Sequence, residues 1–126
     1  MTRTAIVSPG SPPPPGPFSP AIRAEGLIYL SGQVGVDPAT DELVPGGVAA
    51  EAEQLFRNLA VVLEAAGKGF DDVIRAGVFL ADMADYAAMN SVYAAQFSPP
   101  YPARTCVAVA ALPLGARVEI DLVLKA

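Results

Sequence analysis

Residues 48–81 read VAAEAEQLFRNLAVVLEAAGKGFDDVIRAGVFLA, and this stretch decides the fold class because its hydrophobic period changes partway along. The first part repeats apolar residues every three or four positions, which is typical of an amphipathic helix, and Gly67 follows as a C-terminal stop. The run at 73–81, rich in branched and aromatic residues, instead predicts a buried strand. The apolar helical positions are Val48, Ala52, Leu55, Phe56, Leu59, Val62, Leu63 and Ala66.

The flanking segments predict further strands and a second helix. That helix begins at Asp85 as its N-cap and stops before Pro99, with an apolar line of Tyr86, Met89, Tyr93 and Phe97. Short strands are predicted at 2–7, 21–24, 27–32, 104–110 and 117–124, with a tight hairpin turn at Glu25 and Gly26. We therefore predict a single α+β domain over residues 1–126, a mixed sheet with two helices packed on one face.

The composition excludes several classes of function. The chain has 126 residues, a net charge of -5, one cysteine and no histidine. An internal disulfide and a histidine-based nucleophilic triad are excluded, and the usual zinc and iron sites are largely excluded as well. The scattered Lys and Arg residues do not form the basic stripe of a nucleic-acid binder. No apolar run is long enough for a membrane span and no signal-peptide pattern is present, so we expect a soluble cytoplasmic protein.

Apolar residues make up 52% of the chain, an excess that favours burial against another copy. A second unusual segment is SPGSPPPPGPFSP at 8–20, which is dominated by proline. One interpretation is a polyproline linker or SH3 ligand. We expect instead an ordered loop stiffened by proline that crosses the domain surface, because a linker must join two bodies and only seven residues precede this segment.

The last two strands carry charges among core residues. Since side chains alternate along a strand, Arg104 and Cys106 share one face, and Arg117, Glu119 and Asp121 share a face of the final strand. The plain interpretation is a solvated face with Arg104 and Glu119 as a surface ion pair. The sharper one makes Arg104 a seat for the carboxylate of a small organic acid, with a glutamate that moves protons.

Five stretches together resemble the Rid family, also called the YjgF family: GPFSPAI at 16–22, LIYLSGQVGVDPAT at 27–40, FRNLAVVLEAAG at 56–67, VFLADMADYAAMNSVYAAQF at 78–97 and PYPARTCVAVAALPLGARVEID at 100–121. The resemblance implies a chorismate-mutase-like fold that assembles as a homotrimer, with ligand pockets between subunits. It also implies the hydrolysis of reactive enamines and imines, such as 2-aminoacrylate, to 2-keto acids and ammonia. The resemblance implies no cofactor and no metal.

The family's site residues match particular positions here. The resemblance assigns Arg104 to the substrate carboxylate and Glu119 to the attacking water. It further assigns ligand contacts to Ser31, Gly32, Asn90 and Cys106. The family's deaminases usually carry a tyrosine after Gly-Pro near the N-terminus, and this chain has Phe18 there. Cys106 has an alternative interpretation as a small buried strand residue, and Asn90 as an exposed polar one.

Two other functions remain compatible with these residues. A non-catalytic binder or sensor of 2-keto acids would use Arg104 but would have no need of Glu119. Some family members carry an older label as endoribonucleases or translation inhibitors. The acidic balance and the lack of histidine argue against RNA cleavage. The sequence favours the deaminase but leaves its preferred imine unspecified.

Overall fold

A computed structural model describes residues 2–126. The strands are β1 (Thr4–Ile6), β2 (Ala21–Ala24), β3 (Leu27–Gln33), β4 (Val36–Asp37), β5 (Glu42–Leu43), β6 (Val73–Leu80), β7 (Ala103–Ala108) and β8 (Val118–Lys125). The helices are α1 (Val48–Ala65) and α2 (Tyr86–Ala94), with short 3-10 turns at Phe70–Asp72, Met83–Asp85 and Pro113–Gly115. Among these residues no helix is both long enough and apolar enough to span a membrane.

Six strands form one sheet in the order β1-β2-β3-β8-β6-β7. Every neighbouring pair is antiparallel except β6 and β7, which are parallel, so the sheet is mixed as predicted. The connection between β6 and β7 contains α2, because parallel strands need a long crossover. The small β4–β5 hairpin forms a separate two-stranded sheet, in a region that the sequence marked only as turn-rich.

The two helices cover one face of the sheet, and the core lies between the helices and that face. Leu59 of α1 and Met89 of α2 are fully buried, as are Ile28, Val78 and Ile120 from the sheet. An edge-to-face aromatic cluster of Phe56, Phe70, Tyr93 and Phe97 joins α1 to α2. The predicted α+β layering with both helices on one face is therefore confirmed.

The predicted turns are confirmed, whereas the predicted ends of the second helix are wrong. Glu25 and Gly26 both have positive φ, as a tight hairpin turn requires, and Gly67 has φ of 71° beyond α1. Asp85 makes no side-chain cap, contrary to the prediction; Asp82 instead accepts from the Ala84 backbone N–H and caps the preceding 3-10 turn. The helix also ends at Ala94, earlier than its apolar line predicted.

The proline-rich segment at 8–20 connects β1 to β2, two adjacent antiparallel strands of the same sheet. It has no helix or strand of its own, and most of its residues are exposed. Ser8 at its start is buried, and Ser19 and Pro20 at its end accept hydrogen bonds from Ser31. The segment is therefore a surface connection within the domain, which agrees with the ordered-loop interpretation and excludes a linker between two bodies of the described chain.

Candidate active site

Arg104 lies near the start of β7, beside Ala76 of β6, on the face that the helices cover. Its guanidinium reaches α2, where Nη1 donates to the Asn90 Oδ1 at 2.8 Å and Nη2 donates to the Tyr86 Oη at 3.0 Å. The Arg104 Cζ lies 4.7 Å from the centroid of the Tyr93 ring and 5.6 Å from that of Tyr86. Two hydrogen bonds and two aromatic faces therefore fix the position of this cation.

No carboxylate neutralises Arg104 within residues 2–126, where the ion pair formed is that of Arg117 with Asp85 at 3.0 Å. A guanidinium has five N–H donors, and Asn90 and Tyr86 take one each. The remaining donors match a carboxylate, which binds a guanidinium through two parallel hydrogen bonds. The Arg104 guanidinium therefore has the fixed position and the remaining donors that binding of a small carboxylate requires.

Tyr86 and Tyr93 were not identified as site residues from the sequence, which assigned both to the apolar line of the second helix. They stand at i and i+7 around Asn90 at i+4, so all three lie on one stripe of α2. Tyr93 is buried, and its hydroxyl has no hydrogen-bond partner in the described chain. Burial raises the pKa of this phenol, and the nearby Arg104 only partly opposes the rise. Tyr93 therefore stays neutral and presents its ring to the cation.

Cys106 follows Arg104 on the same face of β7, as the alternation predicted. It is half-buried and packs against the hydrophobic core. Burial raises the pKa of the Cys106 thiol, and the nearby Arg104 lowers it by less. A thiol with a raised pKa is a poor nucleophile near neutral pH, so these features favour a packing or contact role over thiol catalysis.

Glu119 lies on β8 opposite Phe79, on the sheet face that the helices leave open. Its carboxylate lies directly over Gly32 of β3, where an added β-carbon would collide with the Oε2 and stand 3.0 Å from the Cδ. Burial raises the pKa of Glu119, and the nearby Asp121 carboxylate raises it further. A carboxylate with a raised pKa is a stronger base than an ordinary glutamate, which suits proton transfer from water.

Ser31 and Gly32 form a bulge in β3, since the pairing with β8 shifts register between Leu30 and Gln33. The Ser31 hydroxyl donates to the Ser19 carbonyl oxygen at 2.6 Å, and the Ser31 backbone N–H donates to the Pro20 carbonyl oxygen at 2.9 Å. These bonds tie the end of the proline-rich loop to the bulge. Phe18, which directly precedes Ser19 in this loop, is 51% exposed. Gly32 therefore lies beside Glu119, and the loop that contains Phe18 is joined to the same bulge through the hydrogen bonds of Ser31 with Ser19 and Pro20.

The structure separates the candidate residues into two groups. Arg104 pairs in register with Ala76 and Glu119 with Phe79, three positions apart on β6, so their side chains lie on opposite faces of the sheet. The interpretation of Arg104 and Glu119 as a surface ion pair is therefore wrong for the single chain. Arg117 was predicted to share a face of the final strand with Glu119 and Asp121. It instead precedes β8 and forms an ion pair with Asp85.

A cavity of about 510 Å³ opens between the segment after Phe70 and the loop at 97–103. Its lining includes Ile74, Phe97 and Tyr101 but none of the candidate residues. Within residues 2–126 the side chains of His, Cys, Asp and Glu form no cluster suited to a metal ion. The candidate site itself offers the Arg104 guanidinium, the Glu119 carboxylate and the Ser31 hydroxyl.

Several proteins are similar to this chain over almost its whole length. The mouse 2-iminobutanoate/2-iminopropanoate deaminase is 46% identical over 98% of the chain and 91% of its own length, and the human deaminase is 42% identical over 98% and 90%. A solved structure of RidA from Psychrobacter sp. PAMC 21119 matches with a TM-score of 0.90 at 43% identity, covering 98% of this chain and 99% of that one.

A further solved structure, Escherichia coli TdcF with bound serine, matches with a TM-score of 0.88 at 32% identity and covers 98% of both chains. The family model described as Endoribonuclease L-PSP, which represents the YjgF/Rid proteins, matches residues 9–125. The match of this family model and the similarity to these proteins over almost the whole chain show that the chain belongs to the Rid (YjgF) family.

Proposed function

We propose that this chain hydrolyses 2-imino acids, and the 2-enamino acids in equilibrium with them, to 2-keto acids and ammonia. The similarity to named imine deaminases over nearly the full length supports this activity. The serine bound in the TdcF structure supports an amino-acid-sized ligand with a carboxylate. Small reactive substrates such as 2-aminoacrylate, 2-iminopropanoate and 2-iminobutanoate fit this class.

The observation that carries the proposal is the Arg104 guanidinium, which is held by Asn90 and Tyr86 but lacks a carboxylate partner within the described residues. In the proposed mechanism Arg104 binds the substrate carboxylate through two hydrogen bonds. This contact orients the adjacent C=N carbon toward the attacking water, and such positioning accounts for much of the rate gain in hydrolysis. Cys106 and Asn90 line the ligand on the same side.

Glu119 moves the proton. As the water oxygen attacks the carbon of the protonated imine, Glu119 takes one proton from the water, and a neutral carbinolamine forms. The protonated Glu119 then returns that proton to the amino nitrogen, and the C–N bond breaks to release ammonia. As the C=O bond forms, the hydroxyl proton passes to the Glu119 carboxylate and from there to the departing ammonia, which leaves as ammonium. The raised pKa of Glu119 suits both halves of this cycle, because the group must accept and then release a proton near neutral pH.

The site is completed by a second copy of the chain. Because Arg104 and Glu119 lie on opposite faces of one sheet, a ligand can contact both only if they come from different subunits. The open sheet face exposes apolar side chains, including Tyr29 at 46% and Val107 at 41%, which a partner subunit would cover. A homotrimer with three equivalent clefts satisfies both requirements, since each interface joins unlike surfaces in a closed ring.

Ser31, Gly32 and Phe18 form the remaining wall of the proposed cleft. The bulge brings the Gly32 backbone close to Glu119, so a backbone group can approach the ligand without a side chain in the way. Phe18 keeps an aromatic surface but lacks the hydroxyl that the family's deaminases usually have there. A lost hydrogen bond of this kind weakens ligand binding by about 0.5–1.5 kcal/mol.

The test is ammonia release from imines generated in situ by an amino-acid oxidase. Arg104→Ala and Glu119→Ala should each reduce turnover by at least about 100-fold, by loss of positioning and of proton transfer. Arg57→Ala and Glu64→Ala are matched controls, because both residues are exposed on α1 away from the site. Full turnover in Arg104→Ala and Glu119→Ala, or a protein that is monomeric in solution yet active, would contradict the proposal.

A second candidate function is a non-catalytic binder of 2-keto acids, and the absent hydroxyl at Phe18 favours it. Tight 2-oxobutanoate binding by the wild type with no imine turnover would establish this alternative. RNA cleavage is the weakest candidate, although the family model carries an endoribonuclease description. The net charge of -5 and the absence of histidine oppose RNA binding and neutral-pH proton transfer.

A further inference from the structure

We propose that Tyr86 is a positioning residue that sets the orientation of the Arg104 guanidinium and thereby the preference for ligands with a carboxylate. This inference rests on the proposed role of Arg104 and deepens it. Tyr86 is the first residue of α2, and its Oη accepts a hydrogen bond from the Arg104 Nη2 at 3.0 Å. The contact joins two residues that lie far apart in sequence and on different elements.

Three side chains of α2 constrain Arg104 in different ways. Tyr93 is buried with its ring under the guanidinium, 4.7 Å from ring centroid to Cζ, so it limits tilting of the cation. Asn90 holds Nη1 and Tyr86 holds Nη2, so together they limit rotation within the guanidinium plane. With one of the two hydrogen bonds removed, the guanidinium can turn about the other.

The rotation matters because a carboxylate is bound by two parallel N–H groups. A guanidinium that is already oriented loses less conformational freedom when the ligand arrives, and this preorganisation appears as affinity. A ligand in which a neutral amide replaces the carboxylate cannot use both donors in the same way. The Tyr86 hydroxyl therefore strengthens binding of the acid and not of its amide.

The test uses Tyr86→Phe, which removes the hydroxyl and keeps the ring near Arg104. Tyr86 is 39% exposed, so the change leaves the core intact. The KM for 2-iminobutanoate should rise about threefold to tenfold, as expected for one lost hydrogen bond, while kcat stays within about twofold. The Kd of 2-oxobutanoate, measured by calorimetry, should rise by the same factor, and the Kd of 2-oxobutanamide should stay unchanged.

Tyr101→Phe is the matched control, because Tyr101 is 54% exposed and is neither one of the side chains that hydrogen-bond to Arg104 nor one of the rings beneath its guanidinium. It should behave as the wild type in every measurement. Unchanged KM and Kd values in Tyr86→Phe, or equal weakening of the acid and the amide, would overturn the inference. If the wild type binds 2-oxobutanoate but hydrolyses no imine, and Tyr86→Phe weakens that binding, the deaminase proposal fails and the positioning role stands.

Discussion

Replacement of Gly32 by alanine tests whether the position of the Glu119 carboxylate controls activity. A β-carbon at this position would meet the Glu119 Oε2 and would lie 3.0 Å from its Cδ and 3.2 Å from its Cγ. Ordinary contacts of this kind are about 3.5 Å or longer, so the glutamate side chain has to move by about half an ångström to one ångström. The Gly32 backbone itself lies outside the left-handed region and accepts alanine.

The expected effect on activity is much larger than that on stability. A displaced Glu119 adopts a less favourable rotamer at a cost of about 0.5–1.5 kcal/mol. Alanine recovers about 0.4–1 kcal/mol by restricting the unfolded chain. The two terms nearly cancel, so Tm should change by less than about 5 °C. By contrast, a misplacement of about 1 Å in a catalytic group lowers the rate about 100-fold.

The assay combines imine hydrolysis with a thermal melt and a measurement of oligomeric state. Gly69→Ala is the matched control, because its backbone is extended and a β-carbon there meets no atom within 4 Å. A double-mutant cycle sharpens the result: in a Glu119→Gln background, Gly32→Ala should have little further effect. If Gly32→Ala alone keeps kcat within about threefold of the wild type, the contact with Glu119 does not control catalysis.

Two further predictions concern pH and the core. The ionised form of Glu119 acts as the base, so kcat/KM should fall as the pH is lowered through the Glu119 pKa. Because this pKa is raised, the fall should occur at a higher pH than for an ordinary glutamate, whose pKa is about 4.3. Asp121→Asn should move this limb to lower pH, because the Asp121 charge contributes to the rise, and an unmoved limb would refute that cause. Leu59→Ala, at a fully buried position, should lower the free energy of unfolding in urea by about 2–5 kcal/mol. Val61→Ala, 52% exposed on the same helix, should change it by less than about 0.5 kcal/mol, and equal losses would contradict the packing account.

Sequence patterns predicted α1 and the central strands well, because the spacing of apolar residues within each short segment indicates a helix or a strand directly. The hydrophobic stripe of α1 and the end at Gly67 were correct to within a residue. The second helix was predicted too long because Phe97 is apolar and close to helical spacing. Phe97 instead packs into the aromatic cluster from the turn after α2, a tertiary contact that helical periodicity does not distinguish.

The sequence predicted part of the candidate site and missed part of it. Alternation along β7 and β8 predicted that Arg104 shares a face with Cys106, and that Glu119 shares one with Asp121. The plain interpretation placed both charged faces toward solvent. The helices leave the Glu119 face of β8 open, but they cover the Arg104 face of β7. The contact of Arg104 with Tyr86 was also missed, because both tyrosines of α2 were read as core residues.

The sequence alone determined the elements, the alternation of side chains along each strand and the resemblance to the Rid family, since these depend on residues close together in the chain. Only the tertiary structure decided that Arg104 and Glu119 point to opposite sides of one sheet, and that Gly32 accommodates the glutamate. Those relations depend on the register of β6 against β7 and β8 and on the bulge in β3. Register is set by packing between residues distant in sequence, and a shift of one residue would exchange the two faces of a strand.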